Sequence, residues 1–162
     1  MILEQATQKE ISRYLENNNG IVLPTGSLEQ HGTIGLIGTD AICVREIAKR
    51  AAEQTTMLVA PTVTYAPAQF NMNFPGTVSI RAQTFAILIE DIFRALTRQG
   101  FGFIYVLNGH GANLAPIRSA VHDLYLDLDD AAPQIHVRNW WDFSSVNKLR
   151  EKLYGEWEGM HG

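Results

Sequence analysis

The sequence predicts a single α/β domain in which a mostly parallel sheet is covered by helices on both faces. Short apolar runs of strand type alternate with longer segments of helical periodicity, and this alternation is typical of parallel sheets. The chain has 162 residues, of which 46% are hydrophobic, so one domain (1–162) with a sizeable core accounts for its length. The sequence contains no internal repeat, low-complexity stretch or linker.

Charge and cysteine content argue against several functional classes. The formal net charge is −4 and the sequence has no basic cluster, which argues against binding to nucleic acid or to an anionic membrane. Cys43 is the single cysteine, so we expect no disulfide framework, no cysteine-based zinc motif and a buried, inert thiol. The sequence has no apolar stretch long enough for a bilayer and no secretory signal, so we expect a cytoplasmic protein.

The first third of the chain is expected to form two helices and two strands. In order, these are a helix over about 7–18, a strand over 21–23, a helix from 39 or 40 to about 54, and a strand over 57–63. Pro24 is expected to end the first strand, and Thr39 or Asp40 to cap the second helix. The residues of that helix predicted to face inward are Ile42, Ile47, Ala48 and Ala51. The loop over 25–38 has no periodicity, and a loop of that length is usually functional.

The rest of the chain continues the alternation of helix and strand. After an irregular stretch over 65–77 comes the clearest helix, with Gly100 expected to follow its C-cap. Its apolar residues recur at helical spacing: Phe85, Leu88, Ile89, Ile92 and Leu96. The later elements are a strand over 103–107, a helix over about 114–128, a strand over 135–137 and a helix over about 146–154.

Polar side chains gather directly after two of the predicted strands. Glu29 and His31 follow the first strand two residues apart, and in an extended backbone that spacing places both side chains on one side. Asp40 lies at the start of the next helix, and His110 lies in the glycine-rich turn after the strand over 103–107. Because reactive groups collect at the carboxyl ends of parallel strands, we expect these side chains to converge on one site.

Carboxylates and imidazoles in one cluster favour a metal site. They are the usual ligands of zinc, manganese and iron, and a carboxylate such as Asp40 can bridge two ions. Each residue alone also has an ordinary explanation: Asp40 as an N-cap, Glu29 as a solvated carboxylate. His31 or His110 alone is equally typical of a hydrogen-bonded turn. Among the other residues, His122 is expected to be exposed, His136 to be structural, and Trp140 and Trp141 to lie in the core.

Three ordered motifs make the chain similar to a known family. The first is Leu-Pro-Thr-Gly-Ser-Leu-Glu-Gln-His-Gly over 23–32, followed by Gly-Thr-Asp over 38–40. The second is Phe-Pro-Gly-Thr over 74–77, and the third is Asn-Gly-His-Gly-Ala-Asn over 108–113. In this order and at this spacing, they resemble the motifs of the creatininase (creatinine amidohydrolase) family over roughly residues 21–161.

The resemblance implies a three-layer α-β-α sandwich and a metal-dependent hydrolase of C–N bonds in linear or cyclic amides, in which a metal-activated water attacks the carbonyl. The family's metal-ligand positions, for up to two Zn, Mn or Fe ions per chain, fall on Glu29, His31, Asp40 and His110. The resemblance also implies Asp40 as the bridging carboxylate, Trp157 in the substrate pocket, and His161 as the residue that passes a proton to the leaving nitrogen. Family members commonly form hexamers, so we expect a homo-oligomer that acts on a small-molecule amide.

The chain departs from the family pattern at several places. Ile34 stands where the family has a second histidine, and Ala112 where creatininase itself has a glutamate ligand. Asn71 or Asn73 stands where a histidine is frequent. The chain is also expected to lack the family's C-terminal segment. A catalytically impaired member that acts as a binding or assembly module is therefore the alternative, and a nucleotide- or phosphate-binding domain is a third, weaker hypothesis.

Overall fold

The computed structural model describes residues 1–155, and over these residues the chain forms a four-stranded parallel sheet and five α-helices. The strands are β1 (Gly20–Thr25), β2 (Leu58–Val59), β3 (Phe103–Asn108) and β4 (Gln134–Asn139). The helices are α1 (Gln8–Leu15), α2 (Thr39–Glu53), α3 (Ala82–Arg98), α4 (Leu114–Leu128) and α5 (Ser144–Tyr154). Among these helices, none has the length and apolar character needed to cross a bilayer. The predicted alternation of strand and helix is confirmed.

The strand order β2-β1-β3-β4 places the sheet's switch point between β1 and β3. After β2, the chain crosses to the other side of β1. There β3 pairs with β1 along its whole length, from Gly20 opposite Phe103 to Thr25 opposite Asn108. The carboxyl ends of β1 and β3 are therefore neighbours, and in open α/β sheets ligands bind at such a point.

Helices cover both faces of the sheet, so the structure has the three layers that the resemblance implied. Successive strand side chains point to opposite faces, and accordingly Ile21 and Val22 belong to two different apolar clusters. The cluster of Ile21 includes buried side chains from α3 and α4: Phe85, Ile89, Phe93, Leu96, Ile117, Ala120 and Leu124. The cluster of Val22 is formed with α2, through Val44, Ala48 and Ala52.

α2 buries a different face from the predicted one. Its buried residues are Ala41, Val44, Ala48 and Ala52. Of the predicted inward residues only Ala48 is buried, whereas Ile47 is 38% exposed and Ala51 is exposed. The sheet selects this face, because Val44, Ala48 and Ala52 pack in one apolar cluster with strand residues that include Val22 and Leu107. At the start of α2 the backbones approach so closely that a Cβ on Gly26 would lie 2.4 Å from the Cα of Ala41, so only glycine fits at position 26.

Pro24 lies inside β1 rather than ending it. The carbonyl oxygens of Val22 and Pro24 accept hydrogen bonds from Ala60 and Val63 on the β2 side. The nitrogen of Pro24 points to the same side, beyond the last residue of β2, so its missing N–H removes no ladder hydrogen bond. β2 is also shorter than predicted, since it covers only Leu58–Val59 and ends two residues before Pro61.

α3 agrees with its prediction apart from one register detail. Gly100 follows the C-cap with φ +102, a conformation that favours glycine. Leu88, however, is 38% exposed and Phe93 is buried. The buried face of α3 runs through residues 85, 89, 93 and 96, because both the sheet and α4 cover that side of the helix.

Candidate metal centre

Three segments bring the four predicted ligands to the carboxyl edge of β1 and β3. The loop after β1 carries Glu29 and His31. The first turn of α2 carries Asp40, and the turn after β3 carries His110. Gly109 allows the last two segments to approach, because a Cβ there would lie 2.7 Å from the backbone oxygen of Asp40.

The four side chains form one connected cluster. His110 Nδ1 lies 3.0 Å from Glu29 Oε1 and 3.0 Å from Asp40 Oδ2. His31 Nε2 lies 3.1 Å from the other oxygen of Asp40, Oδ1. One donor atom each from Glu29, His31 and Asp40 lies within 4.8 Å of the others, a spacing that could hold a metal ion.

Asp40 and Thr39 do not cap α2, contrary to that interpretation of the sequence. The N-cap residue is Gly38, and the Thr39 hydroxyl donates to a loop carbonyl instead. Both oxygens of Asp40 face the cluster: Oδ2 accepts from Ser27 Oγ at 2.8 Å, and Oδ1 faces His31. Its position in the first turn of α2 still matters, since the amino end of a helix stabilises a negative charge.

His110 is the cation of the cluster when no metal is bound. Glu29 is 1% exposed and His110 is 4% exposed, so these charged groups are held almost entirely away from water. Burial lowers the pKa of His110, but its hydrogen bonds to the carboxylates of Asp40 and Glu29 outweigh burial and raise the pKa to about 10. A proton on His110 therefore offsets the two carboxylates, which is the role that a divalent cation would take over.

A backbone carbonyl fixes which nitrogen of His110 faces the carboxylates. The carbonyl oxygen of Pro67 lies 2.7 Å from Nε2 of His110, and a carbonyl oxygen can only accept a hydrogen bond. Nε2 therefore carries a hydrogen, and Nδ1 is left for the carboxylates or for an ion. Such second contacts are the usual means by which proteins orient a metal-binding histidine.

Asparagines that the sequence analysis did not single out hold the turns of the site in place. Asn108 Nδ2 donates to the backbone oxygen of His110 at 2.7 Å, while its Oδ1 accepts from Thr25 Oγ1 at 3.0 Å and from Asn113 Nδ2 at 3.1 Å. Asn113 Nδ2 also donates to the backbone oxygen of Gly26 at 2.9 Å. Asn108 and Asn113 begin and end the third motif, so their presence there was the available signal. They join the turn after β1 to the turn after β3.

A cavity of about 440 Å³ opens beside the cluster. Its walls include Phe70 and Ala112, while Glu29 and His110 lie at its polar end. The site thus combines a charged cluster with space for a small molecule, as ligand pockets generally do.

The other described residues considered from the sequence are not part of the cluster. His122 on α4 is exposed, as expected, and His136 on β4 is exposed as well. Ile34 is 96% exposed. The tryptophans at the end of β4, Trp140 and Trp141, are only partly buried. The two residues for which the resemblance implied a substrate or proton-transfer role, Trp157 and His161, lie outside the described residues.

The parallel sheet with a buried carboxylate–imidazole cluster at its switch point defines an α/β protein with a candidate metal centre. The sequence model of the creatininase family, described as creatinine amidohydrolase, matches residues 4–162. The chain therefore belongs to the creatininase family.

Curated relatives cover most of this chain. The chain is 30% identical over 154 residues to creatinine amidohydrolase of Pseudomonas putida, covering 88% of this chain and 59% of the relative. It is 30% identical over 150 residues to 3-dehydro-scyllo-inosose hydrolase of Thermotoga maritima, covering 92% and 47%. It is 32% identical over 117 residues to the mycofactocin precursor peptide peptidase of Mycolicibacterium smegmatis, covering 68% and 47%. The chain thus spans about half to three-fifths of the length of these relatives.

Solved creatininases have the same fold. The crystal structure of creatinine amidohydrolase (creatininase) matches with a TM-score of 0.88 at 28% identity, covering 99% of this chain and 67% of that chain. A creatininase described with Mn matches with a TM-score of 0.81 at 30% identity, covering 99% and 65%. A mutant creatininase described as the Zn-Zn type matches with a TM-score of 0.85 at 29% identity, with the same coverage.

Proposed function

We propose that this chain carries the metal centre of a metal-dependent hydrolase of C–N bonds in linear or cyclic amides. The observation that carries the proposal is the cluster in which two carboxylates, Glu29 and Asp40, contact the same imidazole nitrogen of His110 at 3.0 Å. Relatives named as an amidohydrolase, a hydrolase and a peptidase support the reaction class.

The residues of the cluster fit a divalent ion. Carboxylate oxygens and imidazole nitrogens are donors that zinc, manganese and iron accept. Buried carboxylates need a compensating cation, and here the proton on His110 takes that role. The solved creatininases with Mn and of the Zn-Zn type support the choice of metal.

Asp40 is shared by two sets of donors. Glu29 Oε1, Asp40 Oδ2 and His110 Nδ1 lie together in one set. Glu29, His31 and Asp40 offer one donor atom each in the other set, in which His31 Nε2 faces Asp40 Oδ1. Asp40 can therefore serve as a bridge between two ions.

The chain's own residues would prepare the reaction in distinct ways. A divalent ion, when bound, would polarise the scissile carbonyl and make a water molecule more acidic. Glu29 and His110 form the buried polar end of the cavity, and Phe70 and Ala112 give the substrate an apolar wall. We assign the delivery of a proton to the leaving nitrogen to His161 and a substrate contact to Trp157, and we expect the active form to be a homo-oligomer.

Hydrolysis of amides by the metal-loaded protein tests this proposal. Chelator-treated protein is reloaded with Zn²⁺ or Mn²⁺ and assayed against creatinine, other cyclic amides and short peptides, with product detected by mass spectrometry. We expect turnover of at least one amide class, loss of that turnover in His31→Ala, and no change in the control His122→Ala, whose side chain is exposed on α4. Metal binding without turnover of any of these amides would contradict the proposed reaction and favour the binding or assembly module.

A further inference from the structure

The loop between β2 and α3 forms one wall of the metal centre. The carbonyl of Pro67 accepts a hydrogen bond from His110, and the ring of Phe70 stacks on that imidazole with centroids 6.1 Å apart and planes inclined by 21°. Thr77 Oγ1 accepts from the backbone N–H of Gln30 at 3.1 Å. An irregular loop of this length that makes several contacts to one site is positioned for a function there.

Within this wall, Asn71 contacts Glu29 directly. The side chain of Asn71 is 7% exposed, and its Nδ2 donates to Glu29 Oε2 at 2.7 Å. Its Oδ1 accepts from Gln30 Nε2 at 3.2 Å, and the amide oxygen of Gln30 accepts from the backbone N–H of Gly32 at 2.9 Å. These three hydrogen bonds form a chain that runs from the backbone of the loop after β1 to the carboxylate.

The chemistry of the groups fixes the direction of this chain. A carboxylate oxygen only accepts hydrogen bonds, so the amide nitrogen of Asn71 must face Glu29 and its amide oxygen must face Gln30. The amide of Gln30 is oriented in turn, because its oxygen is needed by the N–H of Gly32. Each amide is therefore held in a single orientation by its neighbours.

We propose that Asn71, oriented by Gln30, is a positioning residue that holds Oε2 of Glu29 and so keeps Oε1 directed at the metal centre. The inference rests on the proposed function, since it requires the cluster to bind metal. A glutamate side chain has several rotatable bonds, and an ion that binds a mobile carboxylate must first order it. Asn71 orders it in advance. As a neutral donor, Asn71 leaves the negative charge of Glu29 available to a cation.

The test measures the affinity for Co²⁺, by competition with a chromophoric chelator and by the visible spectrum of the bound ion. Asn71→Ala removes the amide, and Asn71→Leu removes it while nearly preserving the side-chain volume. Asn73→Ala is the matched control, because Asn73 is exposed two residues away. Gln30→Ala leaves Asn71 in place but removes the group that orients it. Circular dichroism of each metal-free variant checks that it is folded.

We expect both Asn71 variants to bind Co²⁺ about 10- to 100-fold more weakly, as is usual when a residue that orients a ligand is lost. Gln30→Ala should lose less affinity than the Asn71 variants, and Asn73→Ala should lose none. A folded Asn71→Ala that binds Co²⁺ as wild type does would overturn the inference and leave the proposed function intact. If the Asn71 variants do not fold, wild-type affinity in Gln30→Ala overturns it equally. Failure of the wild type itself to bind Co²⁺ would overturn the proposed function as well.

Discussion

Removal of the His110 imidazole should destabilise the metal-free protein by about 3–5 kcal/mol, the usual cost of deleting one member of a buried ion pair. His110 contacts Glu29 and Asp40 at 3.0 Å each. At an effective dielectric constant of about 20, one such contact amounts to roughly 5–6 kcal/mol of attraction, and desolvation of the buried groups cancels much of it. His110→Ala also leaves the two carboxylates without the cation that they share.

Urea denaturation of chelator-treated protein at neutral pH measures this change. For a chain of this length, the predicted loss corresponds to a fall in melting temperature of roughly 6–20 °C. The control is His122→Ala on the exposed face of α4, which should change the stability by less than about 0.5 kcal/mol. A loss of less than about 1 kcal/mol in His110→Ala would contradict the prediction and show that the cluster does not depend on a charged imidazole.

Two further predictions follow from the same geometry. The pKa of His110 is raised from 6.5 to about 10 in the folded, metal-free protein. The stability that its proton contributes is therefore fully present below pH 6.5, and it is lost as the pH rises through about 10. Urea midpoints of chelator-treated wild type should fall over this range relative to those of His110→Ala, and parallel curves would contradict the assignment. Gly109→Ala should weaken Co²⁺ binding and lower stability by about 1–3 kcal/mol, because its Cβ would lie 2.5 Å from Val44 Cγ1 and 2.7 Å from the backbone oxygen of Asp40. Gly111→Ala, with no atom within 4 Å of the added Cβ, is the control, and equal effects in both would show that close packing at Gly109 is not the cause.

The elements that the sequence predicted well are those whose signal is local. β3 is an unbroken apolar run up to its last residue, Asn108, and α4 was predicted with the bounds that it has. Gly100 marks the end of α3 through a backbone conformation that glycine adopts most easily. In each case neighbouring residues determine the structure, so periodicity and turn chemistry were sufficient.

The features that the sequence did not reveal depend on contacts between distant residues. The buried face of α2 is decided by its packing against the sheet residues Val22 and Leu107, whereas helical spacing alone favoured the larger side chain of Ile47. Pro24 is tolerated within β1 because β2 ends before the position at which a backbone N–H group of residue 24 would donate to it. Asn71 contacts a carboxylate 42 residues away, from a stretch without periodicity.

Metal content per chain, measured by elemental analysis of untagged protein purified without chelator, tests whether the cluster is a metal centre. We expect between one and two equivalents of zinc, manganese or iron in the wild type. We also expect the loss of bound metal in Asp40→Ala, because Asp40 contributes to both donor sets, and wild-type content in His122→Ala. Full metal content in Asp40→Ala, or a wild type that holds no metal even after soaking, would contradict the assignment of a metal centre.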